Sequence, residues 1–186
     1  MSNKRFEALD VARGLTLAFM MIVNNPGSWE HVYAPLLHAE FNGLTPTDFV
    51  FPFFMFIMGY SIFLSLRRSM DAPIGNVMPR VLRRTFLIII IGIALNWISN
   101  GAFGGDWGFS HLRIPGVLQR LGLCYGIVAI LALTIRNFSA QLTIALTGLY
   151  FYAVLLALGN GYVLCPENIA LRVDTAVFGI DHIYAE

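Results

Sequence analysis

The chain has 186 residues, of which 57% belong to the hydrophobic set and only 12% are charged. Soluble domains are about 45–50% apolar and about 25% charged, so this chain has too little charge to cover a globule in water. The composition excludes a soluble enzyme domain, a disordered chain and a nucleic-acid-binding protein, and it predicts an integral membrane protein. The formal net charge of +1 indicates no particular partner.

Five apolar stretches predict an all-α polytopic bundle with about five transmembrane helices, because a spanning helix needs about 20 mostly apolar residues. In chain order, the predicted spans are residues 9–23, 48–66, 81–98, 114–135 and 141–158. No small-residue cleavage site follows the first stretch, so we interpret it as a mature span and not as a signal peptide. The tail after the fifth span is too polar to cross a membrane.

The distribution of basic residues predicts the orientation of these spans, because cytoplasmic loops are rich in Lys and Arg. Basic residues cluster before and within the start of the first span, around the second loop and in the fourth loop: Lys4, Arg5, Arg13, Arg67, Arg68, Arg80, Arg83, Arg84 and Arg136. This bias predicts a cytoplasmic N-terminus. The segments 26–47 and 100–113 and the polar tail are then expected on the outer side.

Charged side chains within the predicted spans are costly in hydrocarbon, so each one is a candidate for function. Asp10 and Arg13 lie three residues apart on one helix face, which is also the spacing of a structural ion pair. Arg120 lies less than two turns into the fourth span, where it needs an anion. A phosphate or nucleotide ligand suits its guanidinium group, and pairing with Asp48 or Asp10 is the alternative.

His38 is a candidate catalytic base in the first outer segment. A histidine can accept a proton from a nucleophile near neutral pH, although a loop histidine is more often simply solvated. Glu40, Asn42 and Asp48 are near enough in sequence to orient its ring. Asn24, at the outer end of the first span, is a candidate donor of a hydrogen bond to a developing oxyanion. Three other histidines are rivals for the same role: His31, His111 and His182.

Asp48 has a second interpretation, as a residue that stabilises the start of the second span. Thr45 or Thr47 suits the cap of that helix, Pro46 suits its first turn, and an acidic residue there complements the helix dipole. Pro52 is expected to kink the span.

A metal site is not expected in this chain. No HExxH or similar histidine spacing occurs, which argues against zinc. Cys124 and Cys165 fit neither a disulfide framework nor a metal site.

Three strings in the chain are long and unusual: LDVARGLTLAFMMIVNNPG, HAEFNGLTPTDFVFPFFMFIMGYSI and IPGVLQRLGLCYGIVAIL. Together they resemble the heparan-alpha-glucosaminide N-acetyltransferase family, over most of residues 6–135. The resemblance implies a membrane-embedded enzyme that moves an acetyl group from cytoplasmic acetyl-CoA to an amino sugar or glycan on the outer side.

The resemblance also implies roles for individual residues. The active-site histidine of the family precedes the NGLTPTD string, which is the position of His38. The catalytic asparagine of the family ends the first span, and Asn24 matches it best. Asn25 is the rival, because the spacing from this asparagine to the histidine is longer here. Asp48 would then orient the histidine or brace its loop.

Acetyl-CoA is a polyanion, so arginines are the residues expected to bind it. The candidates are Arg80, Arg83, Arg84, Arg13 and Arg120. Arg120 conflicts with a cytoplasmic phosphate, because the predicted topology places it near the outer end of the fourth span. Its alternatives are to line a polar cavity, to pair with Asp48 or to contact the acceptor.

Members of the family carry about twice the number of spans predicted here, so residues 1–186 resemble an N-terminal half that is not a competent enzyme alone. The expected partners are acetyl-CoA, an amino-sugar or glycan acceptor, the lipid bilayer, and a missing C-terminal half or a second copy of the chain. The expected location is a bacterial inner membrane. Two other functions stay open: O-acylation of cell-envelope polysaccharide, and a non-enzymatic transporter or assembly protein that uses Asp10, Arg13 and Arg120 as pathway residues.

Overall fold

The computed structural model describes residues 7–28, 30–41, 43–67, 72–105, 107–109, 112–163 and 165–183, and every regular element in these ranges is helical. The predicted all-α class is therefore confirmed. The α-helices are α1 (Glu7–Asn24), α2 (Val50–Arg67), α3 (Ile74–Gly104), α4 (Val117–Thr134), α5 (Phe138–Leu158) and α6 (Ile169–Phe178). Short 3₁₀ helices lie at Ala34–Leu36, Pro46–Phe49 and Ile180–His182.

Four helical segments of the described chain are long and apolar enough to cross a membrane: Pro46–Arg67, α3, α4 and α5. They overlap the second to fifth predicted spans in sequence, and the bounds of those spans in a membrane stay predictions. Helix α1 coincides with the first predicted span but is not one of the four. Its first two turns carry Glu7, Asp10 and Arg13, and its crossing of the membrane stays a prediction.

Helix α3 has 31 residues and extends beyond the predicted span 81–98 at both ends. A helix of this length, at about 1.5 Å per residue, exceeds the roughly 30 Å of hydrocarbon in a bilayer. The prediction followed hydrophobicity and concerned only the part of this helix that crosses the membrane, so additional helical turns at both ends do not contradict it. Arg80, Arg83 and Arg84 lie on the N-terminal turns of α3, and Asn100–Gly104 is helical where a loop was expected.

The kink expected at Pro52 stays a prediction. Pro52 lies in the first turn of α2, directly after the 3₁₀ helix Pro46–Phe49. An amide at that position is not needed for the α-helical hydrogen bonds, so proline is tolerated there without breaking the helix. Helix α6, with ten residues, is too short to span a bilayer, which agrees with the polar character expected of the tail.

The chain divides into two compact units, Met1–Ser61 and Ile62–Glu186. In the first unit, an apolar cavity of about 300 Å³ lies between α1 and α2. Its lining consists of Ala8, Leu9, Ala12, Phe53, Phe56, Ile57 and Tyr60.

The second unit is organised around the close packing of α3 against α4. A Cβ atom on Gly122 would lie 2.8 Å from Cγ1 of Ile89, and one on Gly126 would lie 2.8 Å from Oγ1 of Thr85. Both distances are shorter than side chains tolerate, so the two helices approach each other only because these positions are glycine. The four-residue spacing puts both glycines on one face of α4, as in small-residue contacts between membrane helices.

Helix α5 has no buried residue within the structure. Its side chains are apolar around the whole circumference, and such a helix requires apolar surroundings on every side. The lipid bilayer provides those surroundings, in agreement with the assignment of α5 as a transmembrane helix.

Candidate active site

His38 and Asp48 form a hydrogen-bonded pair in the first unit. Nδ1 of His38 lies 2.6 Å from Oδ1 of Asp48, although the two residues are ten positions apart in the chain. The side chain of His38 is 69% exposed, whereas that of Asp48 is 22% exposed. The imidazole therefore stands at the surface, and the carboxylate that holds it is largely covered.

The second oxygen of Asp48 holds the loop that carries the histidine. Oδ2 accepts hydrogen bonds from the backbone N–H of Thr45 at 2.9 Å and of Ala39 at 3.3 Å. Asp48 is the third residue of the 3₁₀ helix Pro46–Phe49, so its bond from Thr45 is one half of a capping box. The contacts expected from both interpretations of Asp48, support of the helix start and orientation of the histidine, are present in one side chain.

Two threonines tie the loop to this helix start. Oγ1 of Thr45 lies 2.7 Å from the carbonyl oxygen of Leu37 and 2.9 Å from Oδ2 of Asp48, and its single hydrogen is donated to one of them. Thr47 is only 1% exposed, and its hydroxyl donates to the carbonyl of Pro35. The sequence pattern indicates Thr47 only as a helix cap. The position of Thr47 in the TPTD string is the one sequence feature that indicates a structural role for it.

The pair determines which nitrogen of His38 is basic. An ionised Asp48 accepts the hydrogen on Nδ1, and this selects the tautomer whose Nε2 carries a lone pair. Nε2 has no hydrogen-bond partner in the described part of the chain. An exposed imidazole of this kind can take a proton from a bound nucleophile.

Asn24 and Asn25 lie at the end of α1, and both side chains are exposed. Nδ2 of Asn24 donates to the carbonyl of Met20, and Nδ2 of Asn25 donates to that of Met21, each at 2.9 Å. The described contacts join neither asparagine to His38. The two side chains make equivalent bonds, so the choice between them stays a prediction.

Arg13 forms an ion pair with Asp10, with 3.3 Å between Nη1 and Oδ1. Its other terminal nitrogen donates to the hydroxyl of Ser61, and that hydroxyl donates to the carbonyl of Ile57 at 2.6 Å. The structural ion pair expected from the spacing of Asp10 and Arg13 is therefore confirmed.

The other candidate arginines belong to the second unit. Arg80, Arg83, Arg84 and Arg120 are exposed. The guanidinium of Arg84 lies over the ring of Tyr125, 5.0 Å from its centroid. Arg120 lies in the first turn of α4, and its pairing with Asp48 or Asp10 stays a prediction.

Several residues singled out from the sequence lie outside the described ranges: Lys4, Arg5, Asn42, Arg68 and His111. His182, a rival of His38, lies in the second unit with Nδ1 2.8 Å from the carbonyl oxygen of Leu112. The described residues contain no group of three His, Cys, Asp or Glu side chains that could hold a metal ion.

Comparison with known proteins gives a consistent result. The sequence model described as heparan-alpha-glucosaminide N-acetyltransferase, catalytic, matches residues 5–177. The chain is 39% identical over 132 residues to a protein of Mus musculus and 40% identical over 131 residues to one of Homo sapiens, both named heparan-alpha-glucosaminide N-acetyltransferase. These alignments cover 70% and 69% of this chain but only 19% of each relative. The chain thus spans about a fifth of the length of these relatives.

Proposed function

Because this chain belongs to the heparan-alpha-glucosaminide N-acetyltransferase family, we propose that it carries the general base of a membrane acetyltransferase. The donor is acetyl-CoA from the cytoplasm, and the acceptor is an amino sugar or glycan on the outer side. The observation that carries the proposal is the His38–Asp48 pair, in which a covered carboxylate orients an exposed imidazole.

In the proposed reaction, Nε2 of His38 removes a proton from the acceptor amine while the amine nitrogen attacks the thioester carbonyl. Asp48 stabilises the imidazolium that forms. The side-chain amide of Asn24 donates to the oxyanion, with Asn25 as the rival donor. The C–S bond then breaks while the new C–N bond remains, and His38 returns the proton to the departing thiolate. The protein ends the cycle with His38 neutral.

The arginines at the start of α3 are the proposed contacts for the coenzyme phosphates. Arg80, Arg83 and Arg84 are exposed, and the first turn of this helix has no acidic residue. Guanidinium groups suit phosphate because they donate paired hydrogen bonds and stay charged. This donor set fits a polyanion. Arg13 and Arg120 are further candidates, but Arg13 already pairs with Asp10.

The test is transfer of labelled acetyl from acetyl-CoA to glucosamine in membranes that contain this chain together with its expected C-terminal half. His38→Ala is expected to lower the rate by at least roughly a hundredfold, the usual contribution of a general base. His31→Ala is the matched control, because His31 is another exposed histidine of the same unit, and it should retain the wild-type rate. A His38→Ala protein that is folded and fully active would overturn the proposal.

The same assay separates the remaining alternatives. Label trapped on His38 without acceptor would indicate an acetyl-histidine intermediate, whereas a strict requirement for both substrates supports direct transfer. Acetylation of polysaccharide hydroxyls in place of glucosamine would indicate an O-acyltransferase. Substrate flux that survives His38→Ala would indicate a transporter.

A further inference from the structure

A cavity of about 420 Å³ lies at the C-terminal end of α3, in the second unit. Its lining consists of Asn96, Ser99, Asn100, Phe103, Gly104 and Arg113. The volume lies in the range of about 300–1,000 Å³ that is usual for small-molecule sites. The lining combines amide, hydroxyl and guanidinium groups with one phenyl ring, and these six residues include no carboxylate.

Asn100 leaves a donor without a partner at this cavity. Its Nδ2 atom is buried and has no hydrogen bond in the described part of the chain. A buried amide hydrogen normally finds an acceptor, because leaving it unpaired costs free energy. Asn100 also lines the cavity, and rotation of its side chain to another rotamer would bring this donor to an acceptor atom of a bound molecule.

The segment that contributes Arg113 to the cavity is held on two sides. Nδ2 of Asn96 donates to the carbonyl oxygen of Arg113 at 2.9 Å, which attaches the loop to α3. On the other side, the backbone N–H of Ile114 donates to the carbonyl of His182 at 3.1 Å, and Nδ1 of His182 donates to that of Leu112 at 2.8 Å. The backbone beside the cavity is therefore fixed before any ligand binds.

Aromatic rings surround the same end of α3. Trp97 stacks on Phe109 with 5.9 Å between centroids, meets the edge of Trp107 at 5.4 Å, and donates through Nε1 to the carbonyl of Trp107. Phe103, in the cavity lining, is 91% exposed. Aromatic residues at a membrane interface also serve as anchors. Anchoring explains the rings, but it does not explain a polar cavity with an unpaired amide donor.

We propose that this cavity binds a pyranose unit of the glycan, with sugar hydroxyls accepting from Asn100 and Ser99 and one ring face against Phe103. Exposed aromatic rings beside amide groups suit a sugar, because its C–H faces are apolar and its edges carry hydroxyls. The inference rests on the proposed function for the class of acceptor, and it adds a binding site for that acceptor in the second unit.

Tryptophan fluorescence tests the proposal without any acetyl donor. The chain has three tryptophans, so a Trp29→Phe background leaves Trp97 and Trp107 as reporters beside the cavity. Titration of the purified protein with glucosamine, and separately with glucuronic acid, is expected to give a saturable change in emission with at least one sugar. Phe103→Ala and Asn100→Asp should each raise the half-saturating concentration roughly fivefold, the effect of one lost contact.

The matched control is Phe138→Ala, which removes another exposed phenylalanine of the same unit, 75% exposed at the start of α5. It should leave the titration unchanged. Any of three outcomes would overturn the inference. Neither sugar gives a saturable change in emission, all variants give the same titration, or the protein responds to coenzyme A or phosphatidylglycerol but to neither sugar. Phe103 is almost fully exposed, so its substitution does not threaten the fold.

The two proposals fail separately in these measurements. His38→Ala in the same background should bind sugar as well as the parent protein while losing acetyl transfer. Sugar binding without acetyl transfer, when the expected C-terminal half is also present, would refute the proposed function alone. Acetyl transfer that is unaffected by Phe103→Ala and Asn100→Asp at low sugar concentration would refute the binding site alone.

Discussion

Asp48 holds His38 through one carboxylate oxygen and holds the loop around His38 through the other. Oδ1 lies 2.6 Å from the imidazole, and Oδ2 accepts from the backbone of Thr45 and Ala39. The ring orientation and the loop conformation therefore depend on the same side chain.

Asp48→Asn is expected to lower the rate of acetyl transfer by roughly a hundredfold to ten-thousandfold. An asparagine amide can donate to Nδ1 of His38, which selects the tautomer with hydrogen on Nε2 and removes the base. The rate is measured in membranes with matched amounts of protein. Glu40→Gln, an exposed acid of the same loop, is the control and should have the wild-type rate. A wild-type rate for Asp48→Asn would refute the orienting role of Asp48.

Thr45→Val should loosen the loop and lower kcat more than it raises KM for the acceptor. The substitution removes the hydroxyl that contacts Leu37 and Asp48, at a cost of about 1 kcal/mol. Thr45→Ser keeps the hydroxyl and should restore both the rate and the resistance of residues 30–41 to limited proteolysis. If the serine variant is as impaired as the valine variant, the hydroxyl does not position the site.

Gly122→Ala should destabilise the protein by about 1–3 kcal/mol, because the added methyl group overpacks the contact between α3 and α4. The new Cβ would lie 2.8 Å from Cγ1 of Ile89 and 3.2 Å from the carbonyl oxygen of Thr85. Thermal unfolding in detergent measures the loss. Gly148→Ala is the matched control on α5, where an added Cβ meets nothing within 4 Å. Equal melting temperatures for the two variants would contradict the packing account.

Replacing Arg80, Arg83 and Arg84 together by glutamine should raise KM for acetyl-CoA roughly tenfold, with a smaller change in kcat. These exposed side chains would no longer offer positive charge to the phosphates, and the salt dependence of KM should weaken. Initial rates at varied acetyl-CoA and salt concentrations provide the measurement. Arg67→Gln, at the end of α2 in the same unit, controls for the loss of a positive charge elsewhere. An unchanged KM in the triple variant would assign the phosphates to other residues.

Much of the fold follows from local properties of the sequence. Hydrophobicity located α2 to α5, because a residue's preference for hydrocarbon depends mainly on its own side chain. For α3 it located only the apolar part at residues 81–98, since hydrophobicity does not mark where a helix begins or ends. The close contact at Gly122 and Gly126 also escaped the sequence analysis, although the four-residue spacing was visible. Which partner a glycine face meets depends on how two helices pack.

For the candidate site too, some features follow from the sequence and others depend on the tertiary structure. The sequence alone determined a membrane protein with His38 and Asp48 near one helix start, because composition and the NGLTPTD string are properties of the linear chain. Only the tertiary structure decided that Asp48 divides its two oxygens between the ring and the loop, and that Asn100 and Arg113 line one cavity. Hydrogen-bond partners and cavity walls are set by the path of the backbone in space, which brings together groups that are distant in sequence.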